Sequence, residues 1–140
     1  MKVHELLAPA LPVSTELRDR VINGRSSSTR EFVLSVDDEE SGLLILECWA
    51  SRQLGFVYEL RVLKAWRGHG VGTAALKHAE TMARREGYSR LSLKPYSLDS
   101  EGLANDALVA WYRRHGFEFG ITDASLMCKH LIPVLPVEAD

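Results

Sequence analysis

Seven residues near the middle of the chain, Arg67-Gly68-His69-Gly70-Val71-Gly72-Thr73, set three glycines at alternate positions. They stand between a run with strand character and a run with helix character. Glycines at that spacing permit φ angles closed to other residues and let a ligand come close to the backbone. The N–H groups of such a loop, with those of the first helical turn, converge on an anion, and the helix dipole adds to the attraction. A pyrophosphate is the natural guest, although the same glycines also suit a plain tight turn. Two better-known phosphate loops are excluded. A Walker loop needs Lys then Ser or Thr after its last glycine, where Thr73 and Ala74 stand. The dinucleotide fingerprint needs glycine at its sixth position, where Thr73 stands.

Charge along the chain supports a local anion site. Residues 61–94 carry 8 basic and 2 acidic side chains, whereas 1–60 and 95–140 are each acidic with a net charge of −4. A basic middle third between two acidic ones suits one bound anion rather than a broad polyanion surface. The plainer alternative is that Lys77, Arg84 and Arg85 form the solvated face of a helix. The total of −2 leaves no footprint for nucleic-acid binding. Every apolar run is far shorter than the ~18–20 residues of a membrane span, so neither nucleic acid nor membrane is an expected partner. Residues 1–12, interrupted by Pro9 and Pro12, resemble no secretory signal. Cys48 and Cys128 lie far apart and read as reduced thiols of a cytoplasmic protein. His4, His69, His78, His115 and His130 are scattered without metal-ligand spacing, so no metal is expected.

The elements that would hold the glycine loop follow from periodicity. At 140 residues, 46% apolar and 26% charged, the chain fits one globular domain over 1–140, with a loose tail from about 133. Residues 13–24 predict a helix capped by Ser14 and stopped by Gly24. Phe32, Leu34 and Val36 alternate as in a strand with one buried face, and 37–42 predicts the turn of a hairpin whose second strand covers 43–50. A further strand covers 56–63. Ala75, Leu76, Ala79, Met82 and Ala83 mark an amphipathic helix over 73–86, ended by Gly87. A strand over 89–94, a helix over 105–115 and closing strands over 117–121 and 126–131 complete a mixed α/β (α+β) layout. Strand 56–63, helix 73–86 and strand 89–94 predict a right-handed crossover joining parallel strands.

Strand, Arg67-x-x-Gly70-x-Gly72 and an Ala/Leu-rich helix together resemble the acetyl-CoA-binding signature of the GNAT superfamily of N-acetyltransferases. Leu60-x-Val62 is similar to the usual end of that family's fourth strand. Asn105-x6-Tyr112-x3-Gly116-Phe117 is similar to its Asn…Tyr…Gly-Phe segment. The resemblance covers roughly residues 31–131 and is strongest over 56–119. It implies a mostly antiparallel sheet splayed between its fourth and fifth strands, with the pantetheine arm of acetyl-CoA in the gap. The activity it implies is acetyl transfer to an amine-bearing small molecule or to a peptide or protein acceptor. A non-catalytic acyl-CoA-binding or regulatory module on the same fold is the competing reading, and the sequence leaves room for a homodimer.

The resemblance also implies roles. Backbone N–H groups of Arg67, Gly68, His69, Gly70, Val71, Gly72 and Thr73 hold the pyrophosphate, and the Arg67 side chain adds a charge-assisted contact. The backbone about Leu60, Val62 and Leu63 pairs with pantetheine. Tyr112 protonates the departing thiolate, or simply packs in the core on its helix's apolar stripe. Asn105 bonds the pantetheine amide, or caps its own helix. Glu59 is the candidate general base for an amine that arrives protonated. Strict alternation puts it with Val57 and Arg61, opposite Tyr58 and Leu60. A salt bridge to Arg61, with a water chain as base, is the alternative. The Tyr58-Glu59 pair is also similar to one branch of N-terminal acetyltransferases. The stretch 94–104, with Asp99 and Glu101, is longer than usual in the family and either borders the acceptor site or is a surface loop.

Overall fold

A computed structural model describes residues 1–95, 105–121 and 123–134. Seven strands form one sheet: β1 (Lys2–Leu6), β2 (Thr29–Val36), β3 (Glu39–Trp49), β4 (Leu54–Val62), β5 (Arg90–Leu93), β6 (Glu118–Phe119) and β7 (Met127–His130). Their order across the sheet is β1-β2-β3-β4-β5-β7-β6. Every neighbouring pair is antiparallel except β4 and β5, which are parallel. Three helices join them: α1 (Thr15–Gly24), α2 (Val71–Arg85) and α3 (Asn105–Arg114). The strand β1 is absent from the sequence-based expectation. Its presence makes 54–62 the fourth strand, as the resemblance requires.

Apolar residues fill both faces of the sheet's centre. Phe32, Leu34, Leu44, Leu46 and Val57 pack with Ala75, Leu76, Ala79 and Ala83 of α2. Val33, Leu43 and Ile45 instead pack with Leu17 and Val21 of α1. The expectation of one buried face for the 32–36 strand is therefore corrected: Val33, between Phe32 and Leu34, is fully buried beneath α1. Consecutive apolar residues in a strand signal helices on both sides.

The helix ends are set by specific groups. Ser14 caps α1 by accepting from the Leu17 N–H at 3.4 Å. Glu40 accepts from the Val13 and Ser14 N–H groups at 2.9 and 2.6 Å and so ties the start of α1 to β3. The hairpin turn is only Asp37-Asp38, both with positive φ, and residues 39–42 already belong to β3. Aspartate tolerates the left-handed region better than most residues, which permits so tight a turn. Helix α2 starts two residues earlier than its apolar stripe suggests, because Gly70, at φ +81°, is its N-cap.

Gly42 seats that helix. A Cβ on Gly42 would lie 2.7 Å from Cγ1 of Val71, the first residue of α2, and 3.0 Å from the Arg61 carbonyl. Neither neighbour is a flexible chain end. Gly42→Ala is expected to cost about 1–3 kcal/mol of stability by overpacking, read as a lower urea midpoint at unchanged m-value. Wild-type stability in that variant would show that the α2 terminus is free to move.

Candidate active site

Strand β4 pairs with β5 only from Leu54↔Arg90 to Val57↔Leu93. Beyond Val57 it runs on to Val62 beside β3, and the edge facing β5 opens into a cleft of about 1090 Å³. That is at the upper limit of small-molecule sites, about 300–1,000 Å³. One end of the cleft is the glycine turn, with Arg67, Gly68, Gly70, Gly72 and Thr73 in its wall. Leu60, Val62, Leu93, Leu108, Trp111 and Tyr112 line the middle. The other end holds Arg20, Glu47, Trp49, Phe56, Tyr58 and Glu59.

Gly68 and Gly70 have φ of +79° and +81°, and nothing lies within 4 Å of where their Cβ atoms would stand. Backbone conformation, not crowding, requires glycine there, and the space above the turn is open. His69 lies outside the wall. Its Nδ1 donates to the Arg67 carbonyl at 3.1 Å, and its ring meets Trp66 edge-on at 5.4 Å. Gly72 gives room to Trp111, whose ring would lie 3.4 Å from a Cβ. The first-turn N–H groups of α2 lack helical acceptors, as at any helix start, and Val71, Gly72 and Thr73 line this end.

Tyr112 is 6% exposed, with its ring edge-on to Trp111 at 5.0 Å and to Phe117 at 5.8 Å. Gly116, at φ +94°, ends α3 and turns the chain so that the Phe117 N–H reaches the Tyr112 carbonyl at 3.1 Å. The Gly-Phe pair thus packs Phe117 against the tyrosine. Burial pushes the Tyr112 hydroxyl up to about 12. Because the folded value lies above the unfolded value near 10, the stability linked to this proton is complete below pH ~10 and is lost between about 10 and 12. The loss amounts to about 3 kcal/mol. The urea midpoint of the wild type is expected to fall more steeply over that window than that of Tyr112→Phe. Parallel curves would show that the hydroxyl is not desolvated.

Glu59 departs from simple alternation. Leu46 pairs with Val57 and Ile45 with Glu59, so Tyr58 is the extra residue of a β-bulge. Val57 stays on the α2 face, while Tyr58 and Glu59 both turn to the α1 face. There a Cβ on Gly24 would lie 3.1 Å from the Tyr58 ring. Glu59 is 7% exposed, and Arg20 of α1, not Arg61, holds it. Arg20 Nε donates to Oε1 and Oε2 at 2.9 and 2.7 Å, and Nη2 also donates to Oε1. The carboxylate, by its hydrogen bonds, holds the Arg20 guanidinium above its ordinary range. Arg61 pairs with Glu16 at 3.0 Å instead.

Ten of the thirteen sequence-derived residues therefore share one cleft, namely Glu59, Leu60, Val62, Arg67, Gly68, Gly70, Val71, Gly72, Thr73 and Tyr112. Leu63, His69 and Asn105 lie outside its wall. The Leu63 N–H is taken by the Ser41 carbonyl at 2.9 Å, and its carbonyl accepts the Trp66 N–H at 2.8 Å. Its side chain packs on the α1-side cluster. Asn105 is the exposed first residue of α3. Asp99 and Glu101 fall outside the described residues. Sequence reasoning missed Arg20, Glu47, Trp49 and Phe56. For Arg20 a signal exists: it lies three residues after Leu17 and one before Val21 on the buried stripe, so a charge there faces the sheet and needs a carboxylate. The Trp49 indole N–H donates to Glu47 Oε1 at 2.5 Å, and the Trp49 ring stacks on Phe56 at 5.0 Å. Among the described residues no group of three or more metal-ligating side chains gathers, and no helix is long and apolar enough to cross a membrane.

A sheet that opens between a parallel strand pair, with a glycine turn and helix start at one end of the gap, has the shape and the backbone donors to hold a long phosphate-bearing cofactor. Residues 3–117 match the model of the Acetyltransferase (GNAT) family, and the chain belongs to that family. It is an enzyme of N-acetyltransferase type, and the family's activity is acyl transfer from acetyl-CoA. The fold is shared with solved structures. A GNAT family acetyltransferase from Elizabethkingia anophelis with acetyl-CoA bound superposes with a TM-score of 0.67 at 15% identity, over 93% of this chain and 97% of that one. The ribosomal-protein-S18-alanine N-acetyltransferase from Escherichia coli gives 0.67 at 15% identity, over 99% and 98%. Nourseothricin acetyltransferase gives 0.60 at 24% identity over 74% of this chain, which spans 66% of that longer one. No curated protein matches the sequence.

Proposed function

We propose that the protein moves an acetyl group from acetyl-CoA to a primary amine, on a peptide or protein N-terminus, a lysine or a small molecule, by direct attack in a ternary complex. The observation that carries this reading is the continuous cleft from the glycine turn, through the gap beside β4, to Tyr112 on one face of the sheet and Glu59 on the other. The pyrophosphate sits on the N–H groups of the turn and the first turn of α2, with Arg67 beside it. The pantetheine arm pairs with the open edge of β4 about Leu60 and Val62. Leu63 has its N–H engaged elsewhere, lies outside the cleft wall and takes no part.

Acetyl-CoA supplies the activated carbonyl, and the chain supplies position and charge. The acceptor arrives as an ammonium and loses a proton to Glu59, directly or through one water. Its nitrogen attacks the thioester carbon, and a β4 backbone N–H beside the bulge stabilises the oxyanion. As the C–S bond breaks, the Tyr112 hydroxyl stabilises the thiolate, which ends protonated as CoA, and the new amide leaves. Thermal unfolding with acetyl-CoA tests the cofactor half of this reading. At one hundred times Kd the ligand is expected to add about 2.7 kcal/mol of stability. No shift would overturn the assignment of the cleft.

A further inference from the structure

The glycine turn and the open β4 edge account for the cofactor end of the cleft, but not for a part-buried ion pair at the other end. Arg20 and Glu59 both line that end, where the bulge at Tyr58 turns the carboxylate out of the expected strand face. Arg20 engages both oxygens of Glu59 through Nε and Nη2 alone. Its Nη1 has no hydrogen-bond partner among the described residues, and its side chain is about a third exposed. A carboxylate offers about four lone-pair directions, and the two donating groups of Arg20 do not fill them. Side by side in the cleft wall there remain a hydrogen-bond acceptor on Glu59 and a charged donor pair on Arg20.

We infer that Arg20 and Glu59 together form a two-point site for an α-amino carbonyl group, so that the acceptor is an amino-acid derivative or a peptide N-terminus rather than a plain alkylamine. This deepens the acetyl-transfer reading and rests on it. An α-ammonium donates to Glu59, while the carbonyl oxygen one carbon further on accepts from Arg20 Nη1. A plain amine satisfies only the carboxylate, and a site built around a polar partner discriminates against the analogue that lacks it. Partial exposure of Arg20 moderates that discrimination, because water reaches the unpaired N–H groups. The guanidinium geometry matters as well: lysine in its place keeps the charge but not the fork that holds Glu59 and a carbonyl at once.

The test compares alaninamide with isopropylamine, which has the same branched carbon but no carbonyl, at saturating acetyl-CoA. Rates are taken per protonated amine, the form that Glu59 receives. The wild type is expected to favour alaninamide in kcat/KM by about 10-fold or more. In Arg20→Lys that ratio is expected to collapse, mainly through a higher KM for alaninamide, while acetyl-CoA affinity holds. A merely structural arginine would lower both substrates together and leave the ratio unchanged. Equal use of the two amines by the wild type would overturn the inference, as would a ratio that survives in Arg20→Lys. Acetylation of polyamines or aminoglycosides, with neither test amine used, would overturn it and leave the acetyl-transfer reading standing. Absence of acetyl-CoA binding would instead overturn the underlying reading.

Discussion

Tyr112→Phe is expected to lower kcat by about 10²–10⁴ while acetyl-CoA affinity stays close to that of the wild type. The phenylalanine ring keeps the edge-on contacts with Trp111 and Phe117, so the core is preserved and only the hydroxyl is lost. The size of the effect follows from where charge develops. A hydroxyl pushed up to about 12 by burial stays protonated throughout the working range. Complete transfer of its proton to a thiolate of pKa ~8.5 is uphill by about 5 kcal/mol. On the proposed mechanism Tyr112 serves as a hydrogen-bond donor to the developing sulfur charge inside a desolvated site, where such a donor is worth most. The proton that ends on sulfur originates on the acceptor nitrogen. Steady-state kinetics with a fixed amine decide the matter, and an unchanged rate would remove Tyr112 from the mechanism. A further consequence is that the kcat profile has no limb from Tyr112 between pH 7 and 10.

Gly70→Asp is expected to weaken acetyl-CoA by about 100-fold or more without unfolding the protein. Space is not the obstacle, because nothing lies within 4 Å of the position a Cβ would take. Aspartate is also a good N-cap and tolerates positive φ better than most residues, so α2 survives. The harm is electrostatic. A carboxylate at the helix N-terminus occupies the place of the pyrophosphate, and two like charges 4 Å apart repel by about 1 kcal/mol in water and about 4 near a protein surface. Gly70→Asn has nearly the same shape and the same capping capacity without the charge, so it is expected to retain far more affinity. Calorimetric titration separates the two. Wild-type affinity in Gly70→Asp would sink the pyrophosphate assignment.

The parts of this molecule that the sequence makes legible are those governed by local rules. Helix α2 and its glycine turn are readable because Gly68 and Gly70 need positive φ and the Ala/Leu stripe has helical period. Tyr112 and the Gly116-Phe117 return are readable from spacing within a single helix and its cap. What stayed hidden depends on partners distant in the chain. The bulge at Tyr58 is fixed by how β4 meets Ile45 and Leu46 of β3, and nothing in the Val57-Tyr58-Glu59 run announces it. The Arg20–Glu59 pair joins residues 39 apart. Strand β1 is short and lies at the sheet's edge, with polar residues at most of its positions, so pairing with β2 rather than its own pattern makes it a strand. The end of the cleft about Arg20 and Glu59 is the least legible part because tertiary pairing assembles it from α1, β3 and the bulge.

Direct transfer from acetyl-CoA to an amine in one cleft is tested most directly by the release of CoA thiol. With acetyl-CoA saturating, thiol is expected to appear only when an accepted amine is present, in step with the acetylated amine, and the mass of the protein is expected to stay unchanged. A burst of thiol without amine, equal to the enzyme present and accompanied by acetylated protein, would contradict direct attack. Binding of acetyl-CoA with no thiol release for any amine would contradict transfer altogether.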